Sequence, residues 1–596
     1  MTRTKVVILG GGVAGMSAAH ELVERNFDVS VYEMLAIPGG KARSLDVEAP
    51  VPPPWSREKE SSAQIEKKPL PGEHGFRFFP GFYRHIVDTM KRIPFENDRG
   101  GVYKNLIPVT EIGLTRFGKE PLILKAQLPW TVDGLRKQLM NLLAADLGIP
   151  GDEIKFFAGR IWQLMTSCEE RRMAEYEQLG WWEFLEAETK SQPFRQYLAQ
   201  GLTRSLVAAQ GDKASTFTFG DIFLHLLFDI LDPAVHADRI LNGPTNEVWL
   251  KPWLSHLQQR GVDYHLGATV TEFHCDGTRI TGVSVTEDGR THQVEGDYYI
   301  AALPVEGMAP LINPDMLRAD PTLEGIIHLA PNVEWMNGLQ IFLKRDIGFV
   351  NGHLNHGDSK WALTSLSQRQ FWSERFKFPE FGDGTVAGVI SVDISDWKKT
   401  GLSGKTAMAS TRDEIFMEVW QTLKMSLIKD GQQVLRDEDV HSYHLDPDIV
   451  FENGPDDPNP EKKSNKEPLL VNLVNTWGLR PEAYTRIPNL YLASDYVRVN
   501  VDLATMEGAN EAARRAVNCI LDASGSKAKA CKIWKIQEPA VLDFWRGNDR
   551  VRFEKGLPWK ERLSLSMFLS LRFWYHLLRF LVIRAVLWIR RKWLGL

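Results

Sequence analysis

Short continuous apolar runs alternate with runs of helical period along this chain, and their order predicts an α/β architecture. Lys5-Val6-Val7-Ile8-Leu9 is rich in β-branched residues, as a strand buried on both faces of a parallel sheet should be. A helix is predicted over 14–25 and a second strand over 29–33. Helical periodicity dominates 153–168, 173–179, 182–188 and 194–207. Mixed elements return over 237–305, with a helix at 248–260, a strand at 268–273, a hairpin, and then Tyr298-Tyr299-Ile300-Ala301-Ala302. Two polar, Pro-rich stretches, 48–71 and 453–467, read as loops.

The first turn carries chemistry. Gly10, Gly12 and Gly15 fit G-x-G-x-x-G between the first strand and the helix. That pattern gives a tight turn, lets backbone N–H groups approach a pyrophosphate, and lets the helix pack close to the sheet. The helix N-terminus favours an anion. Glu33 ends the second strand, where its carboxylate can accept from both ribose hydroxyls and disfavours a 2′-phosphate. FAD or NAD is therefore expected over NADP. A second glycine pair follows in Pro38-Gly39-Gly40-Lys41-Ala42-Arg43-Ser44, where another loop can reach the phosphates and Lys41 and Arg43 can neutralise them. This second loop favours FAD.

At these residues the chain resembles the flavin amine oxidase superfamily, and within it the plant and cyanobacterial type of carotenoid desaturase. Four stretches carry the resemblance: the glycine-rich run with Gly39-Gly40-Lys41-Ala42; Glu73-His74-Gly75-Phe76-Arg77-Phe78-Phe79-Pro80-Gly81-Phe82-Tyr83; Leu241-Asn242-Gly243-Pro244-Thr245 through Lys251-Pro252 and Thr269-Val270; and Leu492-Ala493-Ser494-Asp495-Tyr496 with Met506-Glu507-Gly508-Ala509. They span residues 1 to about 525. The resemblance implies that Asp495 binds the ribityl–pyrophosphate region. It implies that Gly508 opens a helix facing the flavin end, that Met506 and Glu507 lie near the isoalloxazine, and that Val270 offers its backbone to adenine. The implied FAD-binding set is Gly10, Gly12, Val13, Ala14, Gly15, Glu33, Met34, Gly39, Gly40, Lys41, Ala42, Arg43, Val270, Asp495, Thr505, Met506, Gly508 and Ala509. Ser494 stands where relatives commonly have Gly, and Arg77 and Pro80 replace residues usual in the desaturases. These departures bear on substrate and chemistry rather than on FAD.

The expected fold is a Rossmann-like FAD-binding domain of amine oxidase type, interleaved with an α+β substrate domain, plus a C-terminal amphipathic membrane helix. The FAD-binding parts are 1–96 (with the insert 48–71), 237–305 and 469–525. The substrate parts are 97–236, mainly helical, and 306–468, and 526–596 is a basic, membrane-associating C-terminus.

Charge distribution sharpens the last assignment. From Arg552 onward ten basic and two acidic residues give +8, leaving −13 for the remainder of a chain at −5. Over 559–593, Arg572, Arg579 and Arg590 fall on one side of a helix, with Arg584 and Arg591 about a third of a turn away. The rest of the circumference is apolar and includes Trp574 and Trp588, the pattern of an interfacial helix contacting anionic lipid. No stretch is apolar enough to span a bilayer, and no secretory signal is visible. Cys168, Cys275, Cys519 and Cys531 lack metal-like spacing, so a reduced compartment and no metal site are expected. The expected location is peripheral, on the cytoplasmic side of a membrane, with no nucleic-acid partner.

The substrate implied by the resemblance is a long isoprenoid, entering an apolar tunnel from the membrane. Phe78, Phe79, Phe82, Tyr83, Phe217, Phe223 and Phe228 are candidates for its lining, and ordinary core is the competing expectation for each. Hydride would pass to flavin N5, with quinone or oxygen as final acceptor. His74, Arg77 and Glu507 are the candidate catalytic residues. Competing activities are a redox-neutral isomerase of a polyene or fatty acid, a dehydroxylase of a squalene precursor, and an amine oxidase, for which Lys360 is the one candidate lysine. A non-enzymatic lipid carrier on a flavin fold is the remaining alternative.

Overall fold

The computed structural model describes residues 3–56, 67–74, 78–96, 99–126, 147–200, 211, 213–231, 235–372, 376–536 and 538–561, with 578, 581, 582 and 585. β1 (Lys5–Leu9), α1 (Val13–Val23) and β2 (Asp28–Glu33) open the chain. β3 (Asp263–Leu266), β4 (Tyr298–Ala301) and β5 (Leu490–Leu492) join them in a wholly parallel sheet of order β5-β4-β1-β2-β3. Three distant segments thus build one sheet. β1 is buried at Val6 to Leu9, as its unbroken apolar run requires. α1 is buried at every position because α5 (Met506–Ala523) covers its outer side; Asn510 Nδ2 donates to Ser17 Oγ at 2.7 Å across that contact.

A second sheet has seven strands, in the order Val440–Leu445, Asn337–Leu343, Gly388–Ile394, Leu363–Ser367, Leu354–His356, Glu111–Arg116 and Lys119–Lys125. It is antiparallel except where Leu354–His356 meets Glu111–Arg116. The amphipathic helix Arg412–Ser426 closes it with Ile415, Phe416, Val419, Trp420 and Leu423. Its N-terminus carries a capping box between Thr411 and Glu414.

Helices supply the third layer. α2 (His85–Arg92) precedes α3 (Gly151–Thr166) and α4 (Thr216–Leu231). The helix expected over 182–188 is broken: Trp181–Phe184 ends before Glu186, whose φ of 50° is left-handed, and a single turn, Ala187–Thr189, follows. Helical turns also cover Arg172–Tyr176 and Phe194–Gln200; residues 201–207 of the last predicted helix lie outside the described residues.

The described residues of both polar stretches include strand pairings. In 48–71, Val51 exchanges two 2.8 Å backbone hydrogen bonds with Tyr443, and Leu70–Glu73 pairs with Ser44–Val47. In 453–467, Lys463–Asn465 pairs with Ile449–Phe451.

Residues 526–561 run as a strap from the parallel sheet to the helical layer. Trp534 N donates to His85 Nε2 at 2.9 Å. Farther on, α6 (Asp543–Glu554) places Asp549 2.9 Å from Arg171 Nε, and Trp559 Nε1 donates to Thr166 Oγ1. Of the predicted amphipathic helix, Leu578, Leu581, Val582 and Ala585 are helical and exposed. Arg572, Arg579, Arg584, Arg590, Arg591, Trp574 and Trp588 lie outside the described residues. Among the described residues no helix is long and apolar enough to cross a membrane.

Candidate flavin site

A cavity of about 600 Å³ opens at the C-terminal ends of β1, β2 and β4, where open parallel sheets bind ligands. Gly10, with φ of 101°, turns the chain out of β1. Gly15 lies so close beneath it that an added Cβ would stand 1.9 Å from the Gly10 carbonyl oxygen. α1 can approach the turn only because no side chain is there. The second glycine loop is fastened to the first: Gly39 N donates to Gly11 O at 3.0 Å, and Gly12 bridges Gly39.

Glu33 points back at the turn. Its Oε2 accepts from Gly11 N at 2.6 Å and its Oε1 from Leu35 N at 2.8 Å. Burial raises its pKa, and these two N–H groups oppose the rise. Each oxygen keeps a second acceptor position for a ribose hydroxyl. Tyr264 hydroxyl, 2.7 Å from Gly11 O, braces the same turn. No sequence pattern marked Tyr264, because an aromatic residue in a strand is ordinary.

The cavity lining unites residues distant in sequence. Gly10, Gly12, Val13 and Ala14 form one edge, and Glu33 and Met34 continue it. Gly39, Gly40, Lys41 and Ala42 face them, while Val270 closes one end. Asp495, Thr505, Met506 and Ala509 come from the C-terminal part. Thr505 caps α5 by accepting from Gly508 N at 3.0 Å, so that helix presents its N-terminus to the cavity. Leu303, Pro304 and Glu306 also line it and were not anticipated. Their position just beyond a parallel strand was the available signal.

Arg43 and Glu507 sit away from their expected roles, while Lys41 and His74 line the cavity but are already paired with carboxylates. Arg43 is buried among Glu467 at 2.6 Å, Asp448 at 2.5 Å and Gly40 O at 3.0 Å, so its charge is already matched by carboxylates. Lys41 lines the cavity but lies 2.6 Å from Glu306. His74 Nδ1 is 2.9 Å from Asp446 and 3.2 Å from Asp448, and its Nε2 is 3.3 Å from Glu467. Burial alone would lower its pKa, but the hydrogen bonds to Asp446 and Asp448 outweigh that and raise it to about 9. His74 is therefore an imidazolium at neutral pH and not a base. His74, Asp446 and Asp448 are close enough to share a cation, a role the Arg43 guanidinium fills. Glu507 is buried away from the chemistry: Oε1 accepts from Arg84 N, His85 N and His85 Nδ1 at 2.7–2.8 Å, and Oε2 from Ile86 N at 2.9 Å. It caps α2, with three donors on Oε1 and one on Oε2. Arg77 lies outside the described residues.

Beyond the glycine loops the wall turns apolar, with Phe78, Phe82, Tyr83, Phe219, Ile222 and Leu470. The polar side chains there bond to protein. Thr218 Oγ1 donates to Asp502, Asn472 Nδ2 to Asp502 O, and Arg480 pairs with Asp502 at 2.8 Å. The other predicted tunnel aromatics are core: Phe79 packs edge-on to Trp249, Phe217 to Trp477, Phe223 to Phe157, and Phe228 belongs to the helical core. Lys360, the amine oxidase candidate, is exposed.

The glycine cradle, two helix N-termini and an acid at the end of β2 fit FAD. The family described as flavin containing amine oxidoreductase matches residues 13–521. The 15-cis-phytoene desaturase of Synechococcus elongatus is 23% identical over 420 residues, covering 69% of this chain and 79% of that protein. The zeta-carotene desaturase of Arabidopsis thaliana is 22% identical over 577 residues, covering 91% and 89%. Cyclohexylamine oxidase from Brevibacterium oxydans shares the fold, with a TM-score of 0.54, 12% identity and coverage of 88% and 100%. The chain therefore belongs to the flavin containing amine oxidoreductase family, and its cofactor is FAD.

Proposed function

We propose that this protein is an FAD-dependent oxidoreductase that desaturates a long apolar isoprenoid at a membrane surface. The observation that carries the reading is the apolar half of the cavity, where the polar side chains of Thr218 and Asn472 are tied to Asp502 and Arg480. Of the carboxylates that also line the cavity, Glu334 pairs with Lys398, Glu467 with Arg43 and Glu306 with Lys41, so their charges are already met. Likeness to the two carotenoid desaturases supports the same substrate class.

Bound FAD accepts hydride. The protein's part is positioning and exclusion of water. Gly39–Ala42 and the N-terminus of α5 would hold the cofactor, with Glu33 on ribose, Val270 toward adenine and Asp495 toward the ribityl chain. Phe78, Phe82 and Ile222 would hold the isoprenoid, each buried CH₂ contributing about 0.8 kcal/mol relative to water. A substrate of this kind is stored in lipid, so its transfer from bilayer to tunnel is close to neutral. The basic, Trp-containing C-terminus would dock the protein on anionic lipid, and a membrane quinone would reoxidise the flavin.

The test is anaerobic. Liposomes carrying 15-cis-phytoene are mixed with the holoprotein and the flavin band is followed. Bleaching with a gain of conjugation in the product is the expected result. A product formed while the flavin stays oxidised throughout would replace desaturation with isomerisation.

A further inference from the structure

FAD brings a pyrophosphate, a dianion, into the cavity, and the cations expected to meet it are engaged elsewhere. Arg43 lies among Glu467, Asp448 and Gly40 O. Lys41 Nζ lies 2.6 Å from Glu306 and also donates to Pro468 O. Much of the charged lining is acidic: Glu33, Glu306, Glu334, Asp393, Glu467 and Asp495 all contribute to it. The N-terminus of α1 stands at the glycine turn. A helix N-terminus supplies roughly half an elementary charge, which leaves most of a dianion unmet.

Among the described residues the cations that line the cavity are Lys41, His74 and Lys466. His74 is held by Asp446 and Asp448 at 2.9 and 3.2 Å. Lys466 differs from both. It is exposed, and its ammonium makes no hydrogen bond or ion pair with any described residue. A solvated lysine is ordinary, so this freedom alone would mean little.

Its backbone singles it out. Lys463–Asn465 pairs with Ile449–Phe451, and Lys466 N donates to Asp448 O at 3.0 Å. Glu467 N then donates to Asn465 Oδ1 at 3.0 Å. The Glu467 carboxylate holds Arg43 at 2.6 Å, and Pro468 O holds Lys41. Arg43 and Lys41 belong to the second glycine loop, whose Gly39 N donates to Gly11 O at 3.0 Å. A backbone fixed on both sides therefore sets a free ammonium beside the glycine cradle, on a flexible stem that can swing into it.

We propose that Lys466 is the cation that receives the FAD pyrophosphate, its Nζ donating to a phosphate oxygen. The chemistry recognised is a phosphate anion, and lysine suits it as a compact charge with three donors. Lys466 comes from the segment that runs on into Leu469, Leu470 and Val471 of the apolar wall, whereas the glycine loops come from the N-terminal part. Through this contact the apolar wall is tied to the nucleotide cradle when the cofactor is in place. The inference concerns the cofactor alone and holds whichever substrate is oxidised.

The experiment follows FAD release from full-length holoprotein by the rise of flavin fluorescence on dilution, with salt varied from about 0.05 to 0.5 M. Lys466→Ala should release FAD about tenfold faster than wild type, Lys466→Glu faster still, and Lys466→Arg near the wild-type rate. Wild-type release should quicken with salt more steeply than release from Lys466→Ala. Lys462 is exposed, pairs with Glu452 and does not line the cavity, so Lys462→Ala should match wild type. A second measurement needs no substitution: amine labelling of wild type, read by mass spectrometry. In the holoprotein Lys466 should react more slowly than Lys462 and gain reactivity as FAD leaves. Inorganic pyrophosphate in the diluent should keep it protected, and riboflavin, which lacks phosphate, should not. Release from Lys466→Ala at the wild-type rate and with the wild-type salt dependence would overturn the assignment. So would a Lys466 that labels as fast as Lys462 in the holoprotein, the behaviour of a solvated surface lysine. If Lys466 is protected only after phosphatidylglycerol vesicles are added, the phosphate it meets is a lipid headgroup and the cofactor assignment falls. If the variants fold poorly, the wild-type labelling decides.

Discussion

The two halves of the cavity are built by opposite means. At the nucleotide end, backbone atoms form the site: glycines, helix N-termini and a carboxylate pinned by two N–H groups. Its tolerances are tenths of an ångström, because no side chain can retreat. At the apolar end, side chains form the wall, and Phe82, Ile222 and Phe219 hang from helices and loops that can repack. The backbone-built end fixes the cofactor, and the side-chain-built end can change substrate with few substitutions. The chain itself resembles a cyclohexylamine oxidase in fold and a carotenoid desaturase in sequence.

Substitutions can break that contrast. The largest effect is expected for Gly15→Val, whose Cβ would meet Gly10 O at 1.9 Å. The protein should be recovered without flavin, or not recovered in soluble form. Flavin absorbance per mole of chain measures this, and stoichiometric FAD in the variant would show that the turn is softer than its geometry. Ile222→Trp, at the other end, should keep its FAD and lose at least about tenfold in kcat/KM for phytoene, mainly through KM. Equal loss of flavin in both variants would erase the distinction between the ends.

The smallest effect concerns the charge cluster between them. The folded-state pKa of His74 is raised to about 9, above the 6.5 of a free imidazole. Its contribution, about 3 kcal/mol, is therefore fully present below pH 6.5 and lost as pH rises through 9. Urea midpoints measured between pH 7 and 10 should fall in wild type. The slope should flatten in His74→Gln. An unchanged slope would mean that His74 is neutral in the folded protein.

The nucleotide end was legible because its requirements are local. Gly10, Gly12 and Gly15 lie within one turn, Glu33 ends the next strand, and backbone geometry leaves few other residues possible there. Arg43 and Glu507 misled because residue type states a charge without stating its partner: Asp448, Glu467 and the N-terminus of α2 are brought to them only by the fold. The aromatic set was half informative. Phe78, Phe82 and Tyr83 face the cavity while Phe79, between them, packs on Trp249. Without a regular period in that segment, composition could not say which ring points where.

The interleaving of the parallel sheet also has a consequence in time. β1 and β2 leave the ribosome well before β5 and helix α5, which are contributed by residues after 489. At ~5–20 residues per second, the chain between Glu33 and Leu490 takes about half a minute to a minute and a half to appear. Throughout that interval the first strands have an unfinished sheet beside them and no complete cofactor site. The site is complete only once α5 has been made, so a chain that meets no flavin by then keeps exposed strand edges, a natural client for chaperones and proteases.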